Sequence, residues 1–323
     1  MRLLLWLPGR LLSALLVLIG VSILIFAAVR SLPGGYADVI LGSLSSPEAR
    51  EALAAQYGLD RSIPEQYLLW LGSSLRGDLG VSLVSQTPVV DELISRLPYT
   101  LGLAAGAIVL TALIGIPLGV FTGTRATSGG SSVVGRLISS IGISVPEFVL
   151  ASVVVFLFSR FALGLRVGGA VSPADDLAAS VPTLILPAAV LAVFCIASTA
   201  RTTRDAVLGV LVEPHIGAAV ARGESPAFII RHHLLRNASI PIVTLVATLT
   251  AYLLGGAVIV ESVFDVPGVG SYLVQALDRR DYAVIQSGVL LATVVFVTMS
   301  LVVDIVTSLI DPRVSVASRG RRA

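Results

Sequence analysis

Six runs of roughly 20 predominantly apolar residues constrain what this 323-residue chain can fold into more than any other feature. They cover approximately 11–29, 99–122, 133–159, 182–200, 240–260 and 288–310. A helix rises about 1.5 Å per residue and the hydrocarbon core of a bilayer is about 30 Å thick, so each run is long enough to cross. Lipid offers no partner to a backbone N–H or C=O, which leaves helices or a closed barrel. Strict alternation with period two is absent, and helices follow. The expectation is an all-α integral membrane protein with about six transmembrane helices. A composition that is 55% hydrophobic and only 13% charged excludes a water-soluble domain of this length. The first run follows Arg2 and carries Ala27 and Ala28 near its end, as a cleavable signal would, but its length exceeds a typical signal core and retention as a span is expected.

Arginine placement orients the spans. All 22 basic residues are arginine, and they concentrate in the N-terminus (Arg2, Arg10), the second-to-third connection (Arg125, Arg136), the fourth-to-fifth connection (Arg201, Arg204, Arg222, Arg231, Arg236) and the tail (Arg313, Arg319, Arg321, Arg322). The positive-inside rule puts these four segments, and hence both termini, in the cytoplasm. The long segment between spans one and two is acidic, with Asp38, Glu48, Glu51, Asp60, Glu65, Asp78, Asp91 and Glu92. Within it Ser46-Pro47 and Thr87-Pro88 read as capped helix starts, and short helices on the outer surface are expected. Three regions result: an N-terminal segment and first helix (1–30), an extracytoplasmic segment (31–98), and a five-helix core (99–323) with a cytoplasmic loop at 201–238.

Several chemistries are excluded. Without lysine there is no phosphate-binding P-loop, and the net charge of +2 gives no reason to expect nucleic acid. Cys195 is the sole cysteine, so neither a disulfide nor a cysteine-rich metal site forms. His215, His232 and His233 all lie in the cytoplasmic loop, away from any intramembrane nucleophile; His232 and His233, adjacent on a helix, point apart and make a poor metal site. Gly102/Gly106 and Gly115/Gly119 repeat a spacing that lets helix backbones approach, with packing inside one bundle favoured over a subunit contact. Pro117, between the second pair, is a candidate bend compatible with gating. Glu147 and Asp304 fall inside spans, where an ionised group costs roughly 2.5–3.5 kcal/mol, so both must face protein or water. A structural role is expected for Asp304; for Glu147, just after Pro146, a place on a translocation path is the alternative to a structural one. Pro267, Gly268 and Gly270 read as an external turn ahead of a short amphipathic stretch.

The loop between spans four and five carries the most specific signal. Pro214 ends the fourth span's extension, 215–222 can form about two helical turns closed by Gly223, and Ser225-Pro226 starts another helix. The stretch His215-Ile216-Gly217-Ala218-Ala219-Val220-Ala221-Arg222-Gly223, followed by Leu235-Arg236-Asn237-Ala238 and Ile240-Pro241, resembles the EAA loop of ABC importer permeases. Ala218, Ala219 and Gly223 match that motif, whereas Gly217 stands where it usually has Glu. Further landmarks resemble the dipeptide/oligopeptide/nickel permease family along nearly the whole chain: Leu32-Pro33-Gly34, Arg76-Gly77-Asp78, Ile116-Pro117-Leu118-Gly119, Glu261, Pro267-Gly268-Val269-Gly270, Asp281-Tyr282 and Asp311-Pro312-Arg313. Gly35-Tyr36 departs from the Asp-Pro that usually follows Leu-Pro-Gly.

The resemblance implies a type I importer permease fold in the bacterial inner membrane. It also implies one half of a translocation path for di- or oligopeptides, with nickel complexes, glutathione or another small solute as alternative cargo. The chain itself would be non-catalytic and bind no cofactor. A second similar permease, two ATPase subunits holding ATP and Mg2+, and an extracytoplasmic solute-binding protein would be its partners, with 215–223 coupling it to the ATPases. An ion-coupled secondary transporter is the rival class, disfavoured because only two isolated carboxylates and no inverted repeat are present.

Overall fold

A computed structural model describes residues 2–31, 60–125, 139–161 and 164–310, together with a few isolated positions. The helices among these residues run in chain order α1 (Arg2–Arg30), α2 (Ile63–Leu75), α3 (Val89–Leu110), α4 (Ile116–Thr124), α5 (Glu147–Phe161), α6 (Leu177–Leu211), α7 (Pro214–Ala221), α8 (Pro226–Phe228), α9 (Leu235–Gly256), α10 (Val258–Val263), α11 (Val269–Asp278) and α12 (Tyr282–Ile310), with a further helical stretch at 139–144. Two π-helical turns, Thr111–Gly115 and Ile229–Leu234, join α3 to α4 and α8 to α9. Five helical stretches among the described residues are long and apolar enough to span: Pro8–Arg30, Val89–Thr124, Leu177–Leu211, Pro226–Leu253 and Tyr282–Ile305.

The expected third span departs from this pattern. Residues 139–144 are helical, the chain breaks at Val145 and Pro146, and α5 then runs for 15 residues, about 22 Å, which alone falls short of the hydrocarbon core. Proline supplies no N–H to the preceding turn and disfavours helix at the residue before it, so the interruption falls at Pro146. The beginning of that run, at 133, lies outside the described residues, as do Arg136, Pro47, Gly35 and Tyr36. A second correction concerns the outer segment. The amphipathic stretch after Pro88 is no separate surface helix; α3 starts at Val89 and continues into the span. Thr87 does not cap it, because its hydroxyl pairs with Ser85 instead (2.6 Å). Of the outer helices, α2 is described, and it packs on α1 through Ser22 and Tyr67 (2.8 Å) and the rings of Phe26, Tyr67 and Trp70.

The centre of the bundle is the contact of α3 and α4 with α6, and glycine makes it possible. Gly106 faces Ala188, Gly115 faces Thr199 and the Ile196 carbonyl, Gly119 faces Thr203 and the Ala200 carbonyl, and Gly123 faces Val207. A Cβ at Gly119 would stand 2.6 Å from the Ala200 oxygen, closer than any real Cβ contact. The glycine spacing therefore serves packing within one chain. Pro117 occupies the first turn of α4, directly beyond the π turn, where its missing N–H and its ring are accommodated by the widened helix. Around this contact Leu103, Ala104, Ala107, Leu184, Ala188, Leu191, Cys195 and Leu253 form the apolar core. Near the cytoplasmic end α1 is tied to α12 by an ion pair from Arg10 to Asp304 (3.0 Å), so Asp304 is matched by a cation from another helix rather than by a hydrogen bond alone.

On the outer side two buried carboxylates, Glu261 and Asp281, hold the segment from α10 to the start of α12. Glu261, fully buried, accepts from Thr100 Oγ1 (2.6 Å) and from the Ser271 N–H (2.9 Å), while Thr100 Oγ1 accepts from the Val269 N–H (3.0 Å). The Val269 and Ser271 N–H groups are orphan donors at the start of α11, and the carboxylate satisfies Ser271 directly and Val269 through the Thr100 hydroxyl where water does not reach. Gly268 and Gly270 are glycine because a Cβ at either would meet the Glu261 carboxylate. Asp281 performs the corresponding task at the start of α12: Ser82 Oγ and the Val84 N–H donate to it, which pins the 77–87 loop onto the bundle together with a bond from Ser287 Oγ to the Leu79 carbonyl (2.8 Å).

Two outcomes follow. Gly119→Leu is expected to force α4 away from α6 and lower stability by about 1–3 kcal/mol, the usual cost of overpacking, seen as a reduced melting temperature of the purified protein in detergent. Glu261→Ala leaves two buried donors unmatched and is expected to cost about 2–4 kcal/mol, whereas Glu261→Gln retains an acceptor and costs less in the same measurement.

Candidate functional site

At 35 residues, α6 is about 52 Å long, well beyond the bilayer core, so its last turns carry the chain into the cytoplasm. Pro214 then occupies the first turn of α7, where its lack of an N–H costs nothing. The helix closes after two turns. Gly223 adopts φ +77°, its N–H reaches the Val220 carbonyl (2.9 Å), and the Glu224 N–H reaches that of Ala219 (3.2 Å). This pair of bonds is the Schellman arrangement, and the left-handed residue it requires is cheapest as glycine.

The two faces of α7 differ in kind. Ile216 and Ala219 are buried against Val207, Val210, Ile229, Leu234, Ala238 and Ile242, which anchors the helix to the cytoplasmic ends of α6 and α9. Gly217, Ala218, Val220 and Ala221 face outward, and Val220 is 62% exposed. Of the nine residues predicted for coupling, Ala219 therefore belongs to the anchor and cannot touch a docked partner, while Gly217, with open space where its side chain would be, belongs to the free face. Val212, 84% exposed just before α7, extends that free surface and was not singled out by the sequence motif.

A polar clamp holds α7 in place. Arg222 Nε and Nη2 donate to Glu224 Oε1 (2.9 and 2.6 Å), and Glu224 Oε2 lies 2.8 Å from His233 Nε2 on the π turn. His215 pairs with Glu213 (3.1 Å), and its ring stands 5.9 Å from that of His233. His232 turns the other way and stacks on Phe228 at 4.1 Å. Ser225 caps α8 by accepting from the Phe228 N–H (3.3 Å). Among the described residues no group of His, Cys, Asp and Glu is arranged to hold a metal ion. The clamp joins the C-terminal end of α7 to the π turn and so fixes the orientation of a small apolar surface.

Glu147, the other residue of interest, opens α5 at the break in the third span, half-buried and without a hydrogen bond or ion pair among the described residues. Pro267, Gly268 and Gly270 are on the outer side in the Glu261 lock, Asp304 pairs with Arg10, and Pro117 lies in α4 between Ile116 and Val120, which pack against the same apolar cluster as α7.

Comparison with known proteins agrees with this architecture. The family model for the binding-protein-dependent transport system inner membrane component matches residues 115–316, and that for the N-terminal part of such membrane components matches 3–104. A probable peptide ABC transporter permease protein, y4tP, of Sinorhizobium fredii is 37% identical, covering 94% of this chain and 97% of its own. The dipeptide transport system permease protein DppB of Alkalihalophilus pseudofirmus is 34% identical with the same coverage, and the glutathione transport system permease protein GsiC of Escherichia coli is 36% identical over 94% of this chain. Among solved structures, the MetNI methionine ABC transporter superposes with a TM-score of 0.52 at 19% identity, covering 68% of this chain and 96% of that one, a likeness of fold. The chain belongs to the family of binding-protein-dependent transport system inner membrane components, as a multi-pass, non-catalytic permease subunit of an ABC importer in the bacterial inner membrane.

Proposed function

We propose that this permease carries peptides, that it forms half of the translocation path beside a second permease of the same kind, and that α7 is the element through which two ATPase subunits drive it. The relatives named for peptide and dipeptide transport support the cargo. The ATPases would hold ATP and Mg2+, and an extracytoplasmic binding protein would deliver the peptide. The observation that carries the coupling reading is the two-faced α7: an anchor of Ile216 and Ala219 beneath a protruding surface of Gly217, Ala218, Val220 and Ala221. Small side chains let a groove close tightly around the helix backbone, and the Schellman turn and the Glu224 clamp pass force to α6 and α9 rather than letting it dissipate in a loop. Rigid-body displacement of α7 would then tilt the spans and alternate access to the path.

The reading separates residues that a motif alone treats alike. Val220→Arg is expected to leave the purified permease pair as stable as the parent while abolishing co-purification of the ATPase subunits and peptide-stimulated ATP hydrolysis. Ala219→Arg is expected to lower the melting temperature of the permease itself, because it places a charge in the anchor. Full ATPase recovery and activity with Val220→Arg would remove α7 from the coupling role.

The clamp adds a pH dependence. Hydrogen bonds from Arg222 first, then from His233, hold the Glu224 carboxyl below its ordinary value of 4.5. A depressed carboxylate contributes stability above its unfolded pKa and loses it as pH falls through the folded one. Hydrogen exchange of the Arg222–Glu224 amides, after correction for intrinsic rates, is therefore expected to lose protection as pH falls through the carboxylate range, below about 5. Glu224→Gln should remove that step.

A further inference from the structure

The joint between α7 and the helix that enters the fifth span contains two histidines that the coupling reading does not use. The stretch Pro226–Leu253 has 28 residues, about 42 Å of helix, so its first turns stand clear of a hydrocarbon core about 30 Å thick. His215 on α7 and His233 on the π turn therefore meet on the cytoplasmic side, their rings 5.9 Å apart. Each has a carboxylate of its own: His215 Nδ1 lies 3.1 Å from Glu213 Oε2, and His233 Nε2 lies 2.8 Å from Glu224 Oε2. Arg222 is bound to Glu224, His232 is turned away onto Phe228, Arg231 and Arg236 are exposed, and α6 presents Val207 and Val210 to α7. Solvent reaches both rings, with side-chain exposures of 39% for His215 and 26% for His233.

Asn237 on α9 completes the joint. Its amide nitrogen gives one hydrogen to the His233 carbonyl (2.9 Å) and turns the other towards His215 Nε2 (3.4 Å). A carbonyl only accepts, which fixes the orientation of the amide and assigns His215 Nε2 as an acceptor. The proton of the neutral ring is then on Nδ1, directed at Glu213. In this form a single side chain ties α7 to α9. A second proton on the ring goes to Nε2, where it meets the Asn237 N–H donor to donor. The bridge is lost, and a positive charge appears beside His233, while Glu213 remains as the partner of the charged ring. Imidazole is the side chain whose ordinary range places this change of charge between about pH 5 and 8.

We propose that His215 and Asn237 form a proton-sensitive latch on coupling: acidification of the cytoplasm releases α7 from α9 at this contact and slows ATP-driven import. The proposal rests on α7 being the coupling element and adds its regulation. Ile216 and Ala219 keep α7 seated by apolar contact when the latch opens, so import is slowed rather than abolished.

The test uses the complete transporter, with its partner permease, ATPases and binding protein, in proteoliposomes. The ATPase side is set to pH about 8 or about 6 while the peptide side is held constant. The ATPases have a pH dependence of their own, so the readout is the ratio of peptide uptake at the two values. The ratio for the parent is expected to exceed that for His215→Gln, whose amide offers Asn237 an acceptor at either pH, by about threefold, the worth of one exposed hydrogen bond. Asn237→Ala lacks the bridge at both values and should lower the ratio in the same way, which keeps the test decisive if His215→Gln does not assemble. Hydrogen exchange of the 216–223 amides, corrected for intrinsic rates, should show protection falling between these two pH values in the parent and in neither variant, well above the carboxylate step of Glu224. Equal ratios in the parent and both variants, or protection of α7 indifferent to pH in this range, would overturn the latch while leaving α7 in its coupling role. Full ATPase recovery and activity with Val220→Arg would instead overturn the coupling reading, whatever the pH profile.

Discussion

The close approach of α3 and α4 to α6 is the contact on which the other elements depend. In a membrane no hydrophobic force drives one apolar helix onto another, so helices associate by dispersion between well-fitted surfaces. The glycines from Gly106 to Gly123 provide that fit over five turns, with the backbone carbonyls of Ile196, Ala200 and Arg204 lying against them. Because α6 continues into α7 and α3 continues outward to Val89, one interface fixes both the cytoplasmic and the external ends of the molecule. The helices that would otherwise slide in lipid become a single lever.

Both ends of the lever are finished in polar chemistry, by the same physical device. Glu261 and Asp281 each sit beneath the first turn of a helix and satisfy donors that no water reaches; at the cytoplasmic end Glu224 bridges a helix C-terminus to a π turn. The outer carboxylates are buried and the inner one is close to solvent. The outer end is thus closed to water, while the inner clamp is reached by it.

Much of this was legible in the amino-acid order. Length and apolarity predicted the spans, Arg placement their direction, and Pro214, Gly223 and Ser225-Pro226 the punctuation of the cytoplasmic loop, because backbone chemistry at proline and glycine is local. What sequence did not reveal is tertiary. Ala218 and Ala219 are identical as letters, yet one faces solvent and the other the core, a difference set by where α7 lies against Val207 and Ile242. Thr87-Pro88 had the form of a helix cap, but the loop ladder between Gly80 and Val89 claimed that backbone first. The role of Gly268 and Gly270 also required the structure, since the side chain they accommodate, Glu261, comes from the preceding helix. Pro146 was visible in the sequence; that it would divide a span was not.

The two π turns have a consequence for how such a chain tolerates change. A π turn is an α-helix that has absorbed one surplus residue, bulging locally while the helix on either side keeps its face. Deleting a residue elsewhere in α9 would rotate everything beyond it by about 100° and turn the Tyr252 side of the helix away from its neighbours. Deleting one within 229–234 would return that turn to ordinary helix and leave both flanks in register. The bulges at 111–115 and 229–234 are thus the places where this chain can lose a residue, one within a span and one at the cytoplasmic approach to the next, without redrawing the contacts on which the helices depend.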